Sequence, residues 1–158
     1  GRSELKPRTT DLSRLAEEIV SELREQDPAR RIDVRIEPGL SAWADPSLAR
    51  NLLQNLLDNA WKFTASTAAP RIRLYRDAHA FVVEDNGAGF DQNYANKLFR
   101  PFQRLHPQEE FQGHGIGLAS VRSILERHGG NIRAEGEPGK GARFIFVLPD
   151  PPAEESPS

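Results

Sequence analysis

The 158-residue sequence contains no cysteine, no apolar run long enough to cross a membrane and no excess of basic charge. Without cysteine there is neither a disulfide framework nor a thiolate metal site. Without a spanning run or a signal peptide, we expect a soluble chain, and a reducing cytoplasm fits it. The net charge of -2 argues against non-specific binding to nucleic acid.

Two common nucleotide-binding motifs are also missing. A Rossmann fingerprint needs GxGxxG directly after a strand, whereas residues 113–117 read GHGIG after a long loop. A Walker A loop needs GxxxxGK[ST], and the GKG of residues 139–141 has no Ser or Thr and lies in a predicted hairpin. If this chain binds a nucleotide, it therefore does so through another architecture.

What is present is the length of a single domain and clear apolar periodicity. The pattern predicts helices over residues 10–26, 45–64 and 116–128, strands over 31–37, 40–44, 71–76, 80–84, 131–135 and 142–148, and a long loop over 85–115 that contains a short helix at 94–99. Strand–helix alternation of the doubly wound type is absent. The order predicts an α+β fold, a two-layer α/β sandwich in which three helices cover one face of a mixed, mostly antiparallel sheet.

The predicted helix over residues 45–64 carries an unusual polar row. Asp45 is placed as its N-cap and Pro46 as its first residue. Asn51, Asn55 and Asn59 repeat at helical spacing along the edge of the apolar face, and Lys62 continues the row. Asn is a poorer helix former than Glu or Lys, so the row indicates that amide carbonyl oxygens are needed there. A plain polar surface stripe is the alternative.

The segment DNGAG, residues 85–89, directly follows a predicted buried strand. A buried carboxylate on Asp85 needs a donor, and the exocyclic amine of a purine would serve. Gly87 and Gly89 would allow the backbone to approach a ligand closely. Since Asp, Asn and Gly also dominate ordinary turns, the residues alone leave a simple turn open.

The order of these segments resembles one family. NLLQNLLDNAWKFT, VEDNGAGF, KLFRPFQRLH, GHGIGLASV and GKGARFIFVLP, all between residues 45 and 148, look like the ATP-binding catalytic domain of bacterial two-component sensor histidine kinases. That superfamily, with its Bergerat-type fold, includes gyrase-type ATPases and the ninety-kilodalton heat-shock chaperones. The wording KLFRPFQRLH is similar to phytochrome-like sensor kinases.

The resemblance implies ATP and Mg²⁺ as ligands. Asn55 and Asn59 match the paired asparagines of the family, with Asn59 as the Mg²⁺ ligand, and Lys62 matches a lysine that reaches the phosphates. Phe63 matches an aromatic residue beside the adenine, and Asp85 the aspartate that accepts from the adenine amine. Asn55, Lys62 and Arg104 are the residues to which the resemblance gives a catalytic role.

The lid and the third helix complete the expected site. Gly87 and Gly89 match the first glycine box, and Phe99 and Phe102 match the box that folds the lid, although both also suit a core. Arg104 would reach the γ-phosphate or remain solvated. The segment matching the second glycine box, whose amides would face the triphosphate, comprises Gly113, His114, Gly115, Ile116, Gly117 and Leu118. Leu118 would pack behind it, and we expect His114, where Thr or Ser is common, to point outward.

The resemblance also implies partners outside this sequence. The phosphate acceptor would be a histidine on a helical dimerisation domain of the same protein, which we expect upstream of residue 1, because none of His79, His106, His114 and His128 has the expected surroundings. We expect a response regulator downstream, a monomeric fragment that cannot phosphorylate itself, a homodimeric full-length kinase and no nucleic acid. The intact protein would be cytoplasmic or anchored in the inner membrane.

Domain limits follow from the same segments. Residues 1–9 are expected to be a linker or a remnant of cloning, residues 10–149 the catalytic domain and residues 150–158 an acidic tail rich in Pro and Ser. Three alternative functions remain: a gyrase-type ATP hydrolase, a serine kinase of the anti-sigma type, and a degenerate module that binds a partner without nucleotide. In the hydrolase a glutamate base occupies the position of Asn55, and an amide cannot take up a proton at neutral pH.

Overall fold

The computed structural model describes residues 4–100 and 114–153, with the backbone alone for residues 114–116. The strands and helices in these ranges are β1 (Arg8–Asp11), α1 (Leu12–Gln26), β2 (Asp33–Ile36), β3 (Ser41–Ala44), α2 (Pro46–Phe63), β4 (Arg71–Asp77), β5 (Ala80–Asp85), a 3₁₀ helix (Gln92–Lys97), α3 (His114–Arg127), β6 (Asn131–Glu137) and β7 (Gly141–Val147). No helix among these residues is long and apolar enough to cross a membrane.

In the described ranges, five strands form one sheet in the order β2-β4-β5-β7-β6. The β2–β4 pair is parallel and the other pairs are antiparallel. Apolar side chains on one face of this sheet pack against α1, α2 and α3 to form the core. The predicted two-layer α+β architecture is therefore confirmed.

Helix α2 lies at the centre of the helical layer and begins as the sequence predicts. The Asp45 side chain accepts hydrogen bonds from the amides of Ser47, at 3.0 Å, and Leu48, at 3.3 Å. Leu52, Leu53, Leu56 and Leu57 are almost fully buried. Burial of a leucine side chain contributes about 1.5–3 kcal/mol, so this face fixes how α2 sits on the sheet.

The N-terminal segment corrects one prediction. Residues 8 and 9, expected in a linker, belong to β1, which pairs with β3 in a separate small sheet. Thr10 is buried, and its hydroxyl donates to the Ala44 carbonyl at 2.9 Å. The strand sequence RTTD has no apolar alternation, so periodicity could not reveal it. Asp11 then caps α1 by accepting from the Arg14 amide at 3.0 Å.

Several boundaries also move. The helix predicted at 94–99 is a 3₁₀ helix that starts at Gln92, because Asp91 accepts a hydrogen bond from the Asn93 amide. The β6–β7 turn is narrower than the predicted 136–141, since Gly136 pairs with Ala142 and Glu137 with Gly141 in the ladder. Helix α3 begins at His114 instead of Ile116.

The C-terminus of α3, predicted at residue 128, lies at Arg127 and is tied to the start of α2. Gly129, with φ of 76°, follows the helix, and the Gly130 amide donates to the Leu125 carbonyl at 2.8 Å. His128 Nε2 accepts from the Asp45 amide at 3.0 Å, and its Nδ1 lies 2.8 Å from the Ile124 carbonyl oxygen. Because that carbonyl can only accept, Nδ1 carries the proton. The two helices are therefore joined at the end where the N-terminal segment enters.

Candidate functional site

The polar row of α2 faces inward at its C-terminal half. Asn59 is only 3% exposed, and its Nδ2 has no hydrogen-bond partner among the residues described. A buried amide group without a partner costs free energy, so Asn59 at this position lowers the stability of the folded chain. Lys62 and Phe63 follow on the last turn, and both are half-buried.

Asn55 connects this row to the start of α3. Its Nδ2 donates to the Asn51 carbonyl at 3.0 Å, which leaves its side-chain oxygen Oδ1 directed away from α2. That oxygen lies 3.0 Å from the point where a Cβ on Gly117 would be. The first turn of α3 therefore lies against Asn55, and glycine at position 117 permits the close approach. The free amides of a helix N-terminus suit an anion.

Asp85 ends β5 on the helix-covered face of the sheet. It is 6% exposed, and in the ranges 4–100 and 114–153 no cationic side chain pairs with it. Its Oδ1 accepts a hydrogen bond from the Gly87 amide at 2.8 Å. Burial raises the pKa of Asp85 to about 6, and hydrogen bonds from the Gly87 and Ala142 amides offset part of that rise. The carboxylate can accept a further donor, and an amine would relieve its desolvation.

The loop after Asp85 is held between two parts of the backbone. On one side the Ala88 amide donates to the Phe63 carbonyl at 2.9 Å, and a Cβ on Gly87 would lie 2.1 Å from the same oxygen. On the other side the Gly139 amide donates to the Ala88 carbonyl at 2.7 Å, and a Cβ on Gly89 would lie 2.0 Å from the Glu137 carbonyl. The sequence analysis attributed these glycines to a ligand, whereas the structure shows that neighbouring backbone already requires them.

Sequence reasoning missed several residues that support this loop. A Cβ on Gly141 would lie 2.1 Å from the Asp85 carbonyl oxygen, and one on Gly136 would lie 2.6 Å from the Phe90 ring. The GKG segment was noted for its resemblance but given no role. The sequence feature that could have indicated a role is a glycine-rich turn longer than a tight hairpin requires. The contact between this turn and residues 85–89 joins distant parts of the chain, so a local sequence pattern cannot reveal it.

The remaining expected residues divide into two groups. Phe99 is buried with its ring edge-on to Phe144, at 6.2 Å between centroids, and Leu118 is also buried in the core. Trp61 is buried too. The residues outside the described ranges are Phe102, Arg104 and Gly113. His114, Gly115 and Ile116 lie in the first turn of α3, and their side chains are outside the description.

The side-chain oxygens of α2 suit a hard cation that is also bound by a phosphate group. Among the described residues no group of three or more His, Cys, Asp or Glu side chains is placed to hold a metal. The Asn55 and Asn59 amides supply carbonyl oxygens, and a half-turn of the Asn59 amide exchanges its oxygen and nitrogen at the buried position. Mg²⁺ takes one or two protein oxygens and completes its shell with phosphate and water, so these residues fit it.

A cleft of about 660 Å³ opens at the end of β5, and its lining includes Glu84 and Arg143 as well as Asp85. Its side chains pair with one another: Arg143 lies 3.3 Å from Glu84 and 3.0 Å from Glu135. The Tyr75 hydroxyl donates to Glu84 at 3.0 Å. These charges pair with one another, although the buried Arg143 Nε makes no hydrogen bond among the described residues, whereas Asp85 has no cationic partner there.

Comparison with known proteins gives consistent results. The chain is 33% identical over 144 residues to the phytochrome-like protein Cph1 of Synechocystis, a match that covers 89% of this chain and 19% of Cph1. It is 33% identical over 171 residues to the circadian input-output histidine kinase CikA of Synechococcus elongatus, covering 100% of this chain and 23% of CikA. The chain thus spans about a fifth of the length of these curated relatives.

Solved structures agree with the sequence relatives. The catalytic domain of histidine kinase ThkA superposes with a TM-score of 0.73 at 26% identity, covering 92% of this chain and 96% of that one. Full-length ShkA, solved in complex with AMPPNP, gives a TM-score of 0.72 at 24% identity over 97% of this chain and 34% of its own. The family model described as histidine kinase-, DNA gyrase B- and HSP90-like ATPase matches residues 44–152, more than half of the chain. With the fold, the buried Asp85 and the asparagine row on α2, this match establishes that the chain belongs to the family of histidine kinase-, DNA gyrase B- and HSP90-like ATPases.

Proposed function

We propose that this domain binds Mg-ATP and donates the γ-phosphate to a histidine on a separate helical dimerisation and phosphoacceptor domain of the same protein. The observation that carries the proposal is the buried Asp85 carboxylate, which has no cationic partner within residues 4–100 and 114–153 and whose loop is bonded to the last turn of α2. An adenine amine would donate to Asp85, and Phe63 would line the ring. The AMPPNP complex of the similarly folded ShkA supports the same class of ligand.

The phosphates would extend from Asp85 towards the asparagine row and α3. Asn59, Asn55 and Lys62 lie on one edge of α2, and Asn55 meets the first turn of α3. When bound, Mg²⁺ would neutralise phosphate charge and orient the transferred group. Asn59 would contribute an amide oxygen to it, Lys62 a mobile positive charge and the amides of the first turn of α3 hydrogen bonds to phosphate.

The acceptor is proposed to lie on another domain. His128 in this chain has both ring nitrogens engaged with backbone groups, which disfavours it as a nucleophile. The curated relatives are several times longer than this chain, so there is room for further domains in such proteins. We propose that the catalytic domain runs from β1 to residue 149, that the full-length protein dimerises, and that it passes its phosphate to a response regulator in the cytoplasm.

The amide side chain of Asn55 favours phosphoryl transfer over ATP hydrolysis. A hydrolase needs a general base near the attacking water, and a neutral amide cannot act as one. The Asn55 Nδ2 is also occupied with the Asn51 carbonyl. We therefore expect negligible steady-state turnover of ATP, and sustained turnover that Asn59→Ala abolishes would favour a gyrase-type hydrolase.

Calorimetric titration with AMPPNP tests the proposal, with and without Mg²⁺, on the chain and on Asn59→Ala. We expect Asn59→Ala to weaken the Mg²⁺-dependent binding by about tenfold or more, as for other losses around a metal. Asn51→Ala is the matched control, because Asn51 lies on the same row but is exposed. No binding by the unmodified chain would instead favour a degenerate interaction module.

The phosphoacceptor part has its own test. Incubation of this chain with γ-labelled ATP should leave no acid-labile phosphohistidine on it. Addition of a helical acceptor domain from the same full-length protein should produce the label there. Label on a serine of an added protein would favour the anti-sigma type of kinase, and label on a histidine of this chain would overturn the separate-acceptor proposal.

A further inference from the structure

The C-terminus of α2 is held by a side chain from outside the helix. Arg30, in the loop between α1 and β2, donates through Nη1 to the Trp61 carbonyl and through Nη2 to the Thr64 hydroxyl, the latter at 3.1 Å. A positive charge at a helix C-terminus also interacts favourably with the helix dipole. The Arg30 side chain is only 19% exposed, so water competes little for these bonds.

Arg30 is itself fixed by its surroundings. Its guanidinium lies 5.4 Å from the centre of the Trp61 ring, and its Nε lies 4.0 Å from the Asp27 carboxylate. The Trp61 Nε1 donates to the same carboxylate at 3.4 Å. Arg24 also lies near the Trp61 ring, at 6.0 Å, but its Nη2 donates to Ile32, outside α2. Of these two arginines, Arg30 is therefore the one shown bonded to the helix end.

The last four carbonyls of α2 each have an identified partner. The Thr64 hydroxyl donates to Ala60 at 2.8 Å, Arg30 donates to Trp61, and the Ala65 amide donates to Lys62 at 3.1 Å. The fourth carbonyl, on Phe63, accepts from the Ala88 amide. A helix end leaves these four groups without helical partners, so these bonds determine the position of the last turn.

This turn connects Arg30 to Asp85. Phe63 holds Ala88, and the neighbouring Gly87 amide donates to the Asp85 carboxylate at 2.8 Å. Lys62 and Phe63, both expected to contact nucleotide, lie on the same turn. A shift of the turn would move the two side chains and the Asp85 loop together.

We infer that Arg30 is a positioning residue of the nucleotide site. It holds the last turn of α2, and the Phe63 carbonyl on that turn in turn holds the loop that follows Asp85. The inference rests on the proposed binding of ATP. Arg30 touches no nucleotide in this scheme. Its role is to keep Lys62, Phe63 and Asp85 in one arrangement before the ligand arrives, which lowers the ordering cost of binding.

The test compares Arg30→Ala and Arg30→Lys with two controls in the full 158-residue chain. Arg31→Ala removes an exposed neighbouring arginine, and Arg24→Ala removes the other arginine near Trp61 without touching the bonds to α2. Three quantities are measured: the affinity for AMPPNP with Mg²⁺, the amide proton shift of Ala88 without nucleotide, and the midpoint of thermal unfolding.

Arg30→Ala should weaken AMPPNP binding by about tenfold, the effect of one hydrogen bond to a charged group. It should also move the Ala88 amide shift upfield, because the bond to Phe63 loosens. Arg30→Lys keeps the charge but donates to fewer groups, so its AMPPNP affinity and its Ala88 shift should lie between those of the unmodified chain and those of Arg30→Ala. If Arg30→Ala does not fold, the lysine variant decides the question.

Both controls should keep the affinity and the Ala88 shift of the unmodified chain, even if Arg24→Ala lowers the unfolding midpoint. Equal affinity in the Arg30 and Arg24 variants would overturn the positioning role while leaving the proposed function intact. Failure of the unmodified chain to bind AMPPNP is a separate outcome, and it would overturn both.

Discussion

Glu84 and Asp85 are neighbours on β5 and face opposite sides of the sheet. The Glu84 side chain is 35% exposed and meets Arg143 at 3.3 Å and the Tyr75 hydroxyl at 3.0 Å. Asp85 is 6% exposed, has no ion-pair partner in the described ranges, and accepts from the Gly87 amide. Two acids one residue apart therefore differ in whether their charge is already satisfied within the protein.

This difference indicates where a ligand can gain binding energy. A paired carboxylate on a partly exposed face gains little from another donor, because water and Arg143 already stabilise it. A buried carboxylate without a cation has lost hydration that only a new donor can replace. Arginines and glutamates dominate the open face, yet the helix-covered face that carries Asp85 is the one suited to a specific ligand.

The largest expected effect comes from exchanging each acid for its amide. Asp85→Asn should weaken AMPPNP binding about 100-fold, since one hydrogen bond to a charged acceptor is lost and a donor is placed against the adenine amine. Glu84→Gln should change the affinity less than about twofold. Calorimetry with Mg²⁺ present measures both, and equal losses would remove the distinction between the two faces.

The pH dependence of stability should be of similar size. Because burial raises the pKa of Asp85 to about 6, the folded state holds its proton more tightly than the unfolded state, whose pKa is near 3.8. The contribution is favourable below pH 4 and is lost as pH rises from about 4 to 6, by up to about 3 kcal/mol. Urea unfolding across this range measures it.

Asp85→Asn provides the control for that experiment. The variant should lack this fall in stability between pH 4 and 6 and should be more stable than the unmodified chain at pH 7. Glu84→Gln should keep most of this fall, with a small reduction because the Glu84 charge also raises the pKa of Asp85. An unchanged pH profile in Asp85→Asn would show that Asp85 is solvated in the folded state.

Disturbing the backbone contacts that hold the loop after Asp85 should have a somewhat smaller effect on stability. Gly89 and Gly139 share similar positive φ values, 66° and 76°, but a Cβ on Gly89 meets the Glu137 carbonyl at 2.0 Å and one on Gly139 has nothing within 4 Å. Gly89→Ala should therefore cost about 2 kcal/mol more than Gly139→Ala in urea unfolding. Equal costs would mean that the loop can move away from the β6–β7 turn without penalty.

The smallest expected effect concerns the open face. Tyr75→Phe removes the hydroxyl that donates to Glu84 and should cost about 1 kcal/mol of unfolding free energy. The AMPPNP affinity should stay unchanged, because Glu84 remains paired with Arg143. A marked loss of affinity would show that the two faces of β5 are coupled.

Much of the fold could be predicted because its signals are local. The Asp45 cap, the leucines of α2 and the Gly129 cap of α3 each depend on residues within one or two turns. The strand β1 escaped prediction because Thr10 is buried through a hydrogen bond to Ala44, far along the chain, instead of through apolar alternation.

The candidate site was predicted less evenly. Asn55, Asn59 and Asp85 stood out because amides in a helical row and an acid at a strand end are unusual for a solvated surface. Arg30 and Gly141 did not, since an arginine in a loop and a glycine in a hairpin are common. Their importance depends on the Trp61 and Asp85 carbonyls that they meet in the folded chain.

The sequence by itself determined the order of the helices and of the strands after β1, the side of α2 on which the asparagines lie, and the placement of Asp85 at the end of a strand. These follow from residue spacing, which the chain carries before it folds. Only the tertiary structure decided that Glu84 pairs with Arg143 while Asp85 meets no cation in the described part of the chain, and that Phe63 and the β6–β7 turn hold the loop between them. Burial and pairing across the sheet depend on which distant segments meet, and local spacing carries no information about that.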